Sequence, residues 1–278
     1  MNFYEKKNPK QLKFQLTGNS RYEERYLYIS QTHDPVLLSW LMEKIQLGKS
    51  NDFFLLTIDK HIDLPFEQDW DEFFEELDFI KRIGEPQYQL EEVKKSFSRI
   101  CKGEDIHFLL AALELNLING CVIISPDKKK KKRLKKLRSH YSDHKIFHIP
   151  SIEILVNPRL DRASADQQEL SIERLPDIIK GSDLLIDIDL DYFTYKEKRK
   201  RYVLSEERLN RIFSNKNLKH LFKNRASCIT IALEEGYCND HRDGNNCAYI
   251  FNRITKYFRE MGLIGQKLIY KKIKKQLR

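Results

Sequence analysis

The sequence predicts a three-layer α/β/α protein built on a mostly parallel central sheet. Two observations carry that expectation. Apolar, β-branched runs alternate with segments of helical period along most of the chain of 278 residues, the pattern of strands covered on both faces by crossover helices. Ionisable residues also gather just where several of those runs stop, and ligands collect at the carboxyl ends of strands in such sheets. Neither an internal repeat nor a long linker interrupts the alternation, so residues 1–278 read as a single domain.

The elements follow in order. YLYIS at 26–30 reads as a strand. DPVLLSWLMEKIQLG at 34–48 reads as a helix with Asp34 at its cap, Pro35 in its first turn and Gly48 at its stop. DFFLLTID at 52–59 is the next strand, and helical patterns follow near 69–82, 89–102 and 106–117. GCVIIS at 120–125 is a strand, the lysine-rich segment after it a helix, and 145–149 and 152–156 are short strands. Residues 157–176 look irregular, and 183–191 is a strand. A helix opens at Ser205 and Glu206, 227–233 is a strand, and CAYIFNRITKYFREMG is a helix.

Composition narrows the class. Hydrophobic residues make up 41% and charged residues 33% of the chain, which suits a globular protein. The most apolar run, FLLAALELNLINGCVII, carries Glu114 and Asn116, and MNFYEKKNPK lacks the apolar core of a signal peptide. No membrane partner is expected. The five cysteines have no framework spacing, and Cys121 and Cys228 lie in apolar runs, so a reducing, cytoplasmic setting is expected. The net charge of +9 is concentrated in the peripheral basic segments 128–138 and 270–278, whereas 67–78 is acidic and aromatic. Basic runs of this kind are solvated helix faces or docking surfaces for acidic peptide. No stretch reads as aromatics interleaved with basic residues, so a nucleic-acid partner is not expected.

The chemistry sits in two aspartate-rich stretches. In LLTIDKHIDL, residues 55–64, an apolar strand runs into Asp59, His61 and Asp63. These three would point one way if the strand continued, because strand side chains alternate. Taken alone, the stretch is either a metal-ligand set or a polar turn whose aspartates cap the next helix. LLIDIDLDYF repeats the device with Asp187, Asp189 and Asp191. Five aspartates on one rim would raise each other's pKa values unless cations lay among them, so the pair points to a metal site. His33, just past the 26–30 strand, is a third candidate ligand. Oxygen donors with some imidazole and no cysteine suit Mn²⁺ better than a thiolate-preferring metal.

A histidine after the first strand, then D-x-H-x-D, then D-x-D, resembles the ligand order of the arginase and histone-deacetylase-like (ureohydrolase) superfamily. The resemblance is closer to its UPF0489 branch, which includes peptide arginases. The residues that carry it are His33 with Trp40 seven positions on, the DIDLDYF stretch, and ITIALEEGYC at 229–238, and it spans roughly 26–250. It implies an arginase/deacetylase-like fold and two Mn²⁺ ions per chain. His33, Asp59, Asp63 and Asp187 would hold one, and Asp59, His61, Asp187 and Asp189 the other. Asp59 and Asp187 would bridge, with Asp191 supporting the ligands from behind. It further implies hydrolysis of arginine side chains to ornithine and urea by a metal-bridging hydroxide, in a peptide substrate such as a ribosomally made precursor. Asp63 would accept a hydrogen bond from that hydroxide. Glu234 matches the guanidinium-binding glutamate of arginases, and a slip of one residue would give the role to Glu235. His107 is the candidate proton shuttle and His241 its alternative. Two other readings stand beside this one. The first is a small-guanidine hydrolase or amide deacetylase of the same superfamily. The second is a metal-stabilised binding protein without catalysis.

Overall fold

A computed structural model describes residues 10–17, 24–33, 35–48, 53–60, 70–100, 108–126, 131–156, 174–197, 200–239 and 245–277. Nine strands form two sheets among these residues. The main sheet has the order β1–β2–β9–β6–β3–β4–β5. Its strands are β1 (Gln11–Gln15), β2 (Tyr26–Ser30), β3 (Phe53–Ile58), β4 (Ile118–Ile124), β5 (Lys145–Ile149), β6 (Asp183–Asp189) and β9 (Ala226–Ala232). Only β1 is antiparallel to its neighbour; the other pairings are parallel. The expected three-layer arrangement is therefore present. β7 (Thr194–Glu197) and β8 (Lys200–Val203) form a separate hairpin.

Strand alternation divides the core into two. Leu27, Ile29, Phe54, Leu56, Ile58, Ile186, Ile188, Ile229 and Ile231 face one way. They meet the helices α8 (Glu206–Ser214), α11 (Asn246–Glu260) and α12 (Tyr270–Leu277). Tyr28, Phe53, Leu55, Leu185 and Cys228 face the other way. On that side lie α1 (Val36–Leu47), α2 (Trp70–Ile83), α3 (Pro86–Ile100), α4 (Phe108–Glu114) and α5 (Lys131–His140). The lysine-rich α5 joins this core through Leu134 and Leu137, one turn apart, and leaves Lys135, Lys136 and Arg138 exposed. Gly48 ends α1 at φ +84°, a conformation in which a Cβ is strained. Among the described residues no helix is long and apolar enough to cross a membrane.

Several local expectations need correction. Residues 152–156 are not a strand but a short helix, α6 (Ile152–Val156). Ser151 Oγ accepts the Glu153 N–H at 3.1 Å and starts the turn, while Ile152 and Leu155 are buried at helical spacing. The 183–191 strand stops at Asp189, where a 3₁₀ turn (Leu190–Phe193) takes over. The 52–59 strand likewise stops at Ile58, so the regular alternation does not run on through Asp59. β1 and the β7–β8 hairpin were not foreseen. QLKFQ is a half-buried edge strand with too few apolar positions to stand out, and TYKEKRKRYV is dominated by charge.

The topology fixes where the two aspartate stretches meet. β3 passes its chain on to β4 and β5 on one side, while the chain leaving β6 returns to the sheet as β9 on the other. β3 and β6 are neighbours in register, with Thr57 opposite Asp187. Their carboxyl ends therefore flank the point where the strand order reverses, the place where a crevice opens in a sheet of this kind.

One buried acid away from that crevice shapes the pH dependence of stability. Glu43 on α1 is wholly buried and accepts a hydrogen bond from Tyr28 Oη at 2.8 Å. Burial pushes its carboxyl up to about 7, against the opposing pulls of the Tyr28 hydroxyl and Lys13. A carboxyl raised in the folded state stabilises below its unfolded value, and that contribution is lost as pH rises through the folded value. The loss amounts to about 3 kcal/mol between roughly pH 4.5 and pH 8. Glu43→Gln should flatten this part of the curve and make the variant more stable than the parent at pH 8. Urea denaturation at both pH values checks it.

Candidate metal centre at the carboxyl end of the sheet

One face of three neighbouring strands grades from apolar to acidic towards the carboxyl end. Leu55, Leu185 and Cys228 come first, and Thr57, Asp187 and Thr230 form the next row across β3, β6 and β9. Beyond that row stand Asp59 and Asp189. Asp187 is fully buried, and both its oxygens accept hydrogen bonds, from Thr57 Oγ1 at 3.0 Å and Thr230 Oγ1 at 2.5 Å. The two threonines hold the carboxylate between them on one face of the sheet.

His33 closes the cluster from the turn after β2. Its carbonyl accepts the Val36 N–H at 2.9 Å, which ties the turn to the start of α1. The ring is fully buried, 5.1 Å from the ring of Phe108, and Phe108 in turn meets Trp40 edge-on at 5.6 Å. The seven-residue spacing of His33 and Trp40 thus places both against the same phenylalanine of α4. His33 Nε2 lies 3.1 Å from Asp187 Oδ2. Its Nδ1 lies 3.8 Å from Asp59 Oδ2 and 3.8 Å from Asp189 Oδ2.

His33, Asp59 and Asp189 each offer one donor atom, and these atoms lie within 4.8 Å of one another. All three side chains are buried. Burial and the Asp191 charge push the Asp189 carboxyl well above its usual value, against the pull of His33. Burial would lower the His33 pKa, but the charges of Asp187, Asp189 and Glu234 outweigh it and hold the imidazole well above its usual value. One imidazole and two carboxylates, buried together and repelling one another, fit a divalent cation. Asp187, whose oxygens face Thr57, Thr230 and His33, adjoins this set.

Asp191 is fully buried in the 3₁₀ turn, and its N–H donates to Asp189 Oδ1 at 2.9 Å, which fixes the Asp189 carboxylate. Its carbonyl accepts from Thr194 Oγ1 at 2.7 Å, and Thr194 Oγ1 accepts from Lys60 Nζ at 3.1 Å. Burial pushes the Lys60 ammonium below its usual value, Asp191 pulls it back up, and Arg201 adds to the depression. Ser125 Oγ donates to the Lys60 carbonyl at 2.9 Å, so Lys60 is held both by the residue after β4 and by the first residue of β7.

Glu234 and Glu235 are placed apart. Past β9, Leu233 and Glu234 continue to pair with Ser30 and Gln31, which brings Glu234 beside His33. Glu234 Oε1 accepts the His33 N–H at 3.0 Å. Its backbone is left-handed at φ +42°, a strained conformation for a side chain of this size. Glu235 opens the short helix α10 (Glu235–Cys238) and turns away to Tyr270 Oη and to Lys274 Nζ, the latter at 2.7 Å.

His61, Asp63, His107 and His241 lie outside the described residues. His33, Asp59, Asp187, Asp189 and Asp191 are brought together, with Glu234 at their margin. Thr57, Thr230, Thr194 and Lys60 were not foreseen. Parity could have found the first, since Thr57 and Asp59 are two apart and so share a face.

No protein-family model matches the chain, and no curated protein matches it. Among solved structures, proclavaminate amidino hydrolase from Streptomyces clavuligerus is similar, with a TM-score of 0.42 and 10% sequence identity. The match covers 85% of this chain and 64% of that one, so the chain spans less than two thirds of that protein's length.

Mn²⁺ should stabilise the protein through this cluster. At a hundredfold excess over the dissociation constant the gain is about 2.7 kcal/mol, or roughly 5–10 °C in Tm. Asp189→Asn should abolish that shift yet raise the Tm of the chelator-treated protein, because it removes a repelled buried charge. Scanning calorimetry with Mn²⁺ and with EDTA reads both effects.

Proposed function

We propose that the chain is a metal-dependent hydrolase acting on arginine side chains within a peptide, leaving ornithine and releasing urea. The observation that carries this reading is the convergence of His33, Asp59 and Asp189 at the sheet's switch point, with Glu234 held beside them in strained backbone. Strain of this kind persists where a side chain must be aimed at one place.

His33, Asp59 and Asp189 would hold a Mn²⁺ ion, with Asp187 adjoining. The sequence resemblance adds Asp63 to the ion held by His33 and adds His61 to a second ion. A divalent centre supplies a nucleophile from water at neutral pH. The chain's own groups prepare the rest. Thr57 and Thr230 fix the Asp187 carboxylate, and the Asp191 N–H fixes that of Asp189. Phe108 and Trp40 exclude water behind His33. Glu234 supplies negative charge at the rim, where a substrate guanidinium can be oriented. Hydrolysis then adds water across the bond between Nε and the guanidino carbon. That carbon leaves with its two terminal nitrogens as urea, and Nε gains a proton as the ornithine amine.

Urea release from Mn²⁺-loaded protein tests the reading. Arginine-containing peptides should be converted, with the fixed mass loss of arginine to ornithine, faster than free arginine, agmatine or an acetyl-lysine peptide. Preference for free arginine or agmatine would make it a small-guanidine hydrolase. Acetate release would make it a deacetylase, and bound metal with no turnover a binding protein. Glu234→Gln should lower the rate on peptides about a hundredfold or more, the equivalent of roughly 2–4 kcal/mol, with metal content unchanged. Glu235→Gln should stay near the parent rate, since its partners are Tyr270 and Lys274.

A further inference from the structure

The β7–β8 hairpin leaves the candidate centre directly. It follows the 3₁₀ turn that carries Asp191, and its first residue, Thr194, accepts the Lys60 hydrogen bond at 3.1 Å. Its sequence, TYKEKRKRYV, contains Lys196, Lys198, Arg199, Lys200 and Arg201 against the single acid Glu197. Tyr195 and Tyr202 flank this run, stack at 5.5 Å and expose 45% and 40% of their surface.

The backbone register shows which edge is open. The Leu204 N–H donates to Phe193 O at 2.8 Å, and opposed residues of an antiparallel pair alternate between bonded and non-bonded. Lys200, Tyr202 and Leu204 therefore bond towards β7, while Arg201 and Val203 turn their backbone groups outward. No strand pairs on that side among the described residues. The Arg201 carbonyl there accepts from Asn246 Nδ2 at 3.3 Å. A cavity of about 570 Å³ runs along this edge, lined by Arg201, Val203, Ser205, Asn245, Asn246 and Tyr249. Lys200 and Glu206 also border it, and Glu206 is paired with Arg253 at 2.8 Å. Arg201 Nη1 is buried with no hydrogen-bond partner among the described residues.

We infer that this hairpin is a docking strand for an acidic, extended peptide segment, which lies along the outer edge of β8 with its carboxylates on Lys196, Lys200 and Arg201. The inference rests on the proposed hydrolase reading for what the segment belongs to: the flank of the reacting arginine. An open strand edge beside a groove pairs with extended peptide backbone, and side-chain charge selects the sequence. The neighbouring centre is acidic and the hairpin basic, so the two together fit a bipolar ligand, a cationic arginine followed or preceded by acids. A phosphate backbone suits this arrangement less well, because Asp59, Asp189 and Glu234 repel it.

The test uses the Mn²⁺-loaded full chain and two synthetic peptides with the same central arginine, one flanked by Asp and Glu, the other by Lys. Binding is read by fluorescence anisotropy on versions carrying lysine in place of the arginine, and turnover by urea release. Two or three surface charge pairs are together worth about tenfold in affinity. The parent protein should prefer the acid-flanked peptide by about that factor, less so at high salt, and Lys196→Glu/Lys200→Glu should reverse the order. Both side chains are exposed, and an unchanged melting temperature confirms that the double variant folds. Equal affinities in the parent, an unreversed preference in the variant, or tighter binding of a single-stranded oligonucleotide would overturn the inference. Flank preference without urea from any peptide would retire the hydrolase reading and keep the docking strand. Urea release without flank preference would do the opposite.

Discussion

The carboxylates of Asp59, Asp187, Asp189 and Asp191 are almost wholly withdrawn from water, with the His33 imidazole beside them. Like charges buried this close repel one another and cost stability, so the fold around them is arranged to tolerate a cost that no core residue imposes. Hydroxyls stand where a parallel sheet would ordinarily place Val or Ile. Thr57 and Thr230 flank Asp187 on the two neighbouring strands and donate to it, and a backbone N–H from the following turn steadies Asp189. These contacts orient the carboxylates but bring no positive charge, and the cluster fits a divalent cation.

The surrounding elements follow from that need. The switch point between β3 and β6 opens the crevice, and the turn after β2 lowers His33 into it. α1 and α4 close the apolar side through Trp40 and Phe108. On the far side the Asp191 carbonyl and Lys60 both bond Thr194, the first residue of the basic hairpin. The same few residues that end three strands therefore bring an acidic pocket and a basic surface side by side. That juxtaposition suits a substrate carrying both signs of charge.

Much of this was legible in the sequence because the signals were periodic. The parallel strands announced themselves as apolar runs, and YLYIS and KIFHI coincide with β2 and β5 to the residue. Asp59, Asp187 and Asp189 stood out because carboxylates at the ends of apolar strands have no packing rationale. What was not legible depended on tertiary context. IEILV has strand composition, yet Ser151 caps it as a helix. The DIDLD alternation suggested a strand through Asp191, but the Asp189 side chain accepts its backbone N–H and bends the chain into a turn. Glu234 and Glu235 are chemically identical neighbours. Only the pairing of Leu233 and Glu234 with the end of β2, and the arrival of Tyr270 and Lys274 from a distant helix, separate their surroundings.

The account turns on a cation among His33, Asp59 and Asp189, and anomalous diffraction at the manganese edge from crystals grown with excess Mn²⁺ tests it most directly. A strong anomalous peak is expected within coordination distance of the His33 imidazole and the Asp59 and Asp189 carboxylates. Crystals that show no peak there, or manganese bound only elsewhere on the chain, would contradict it.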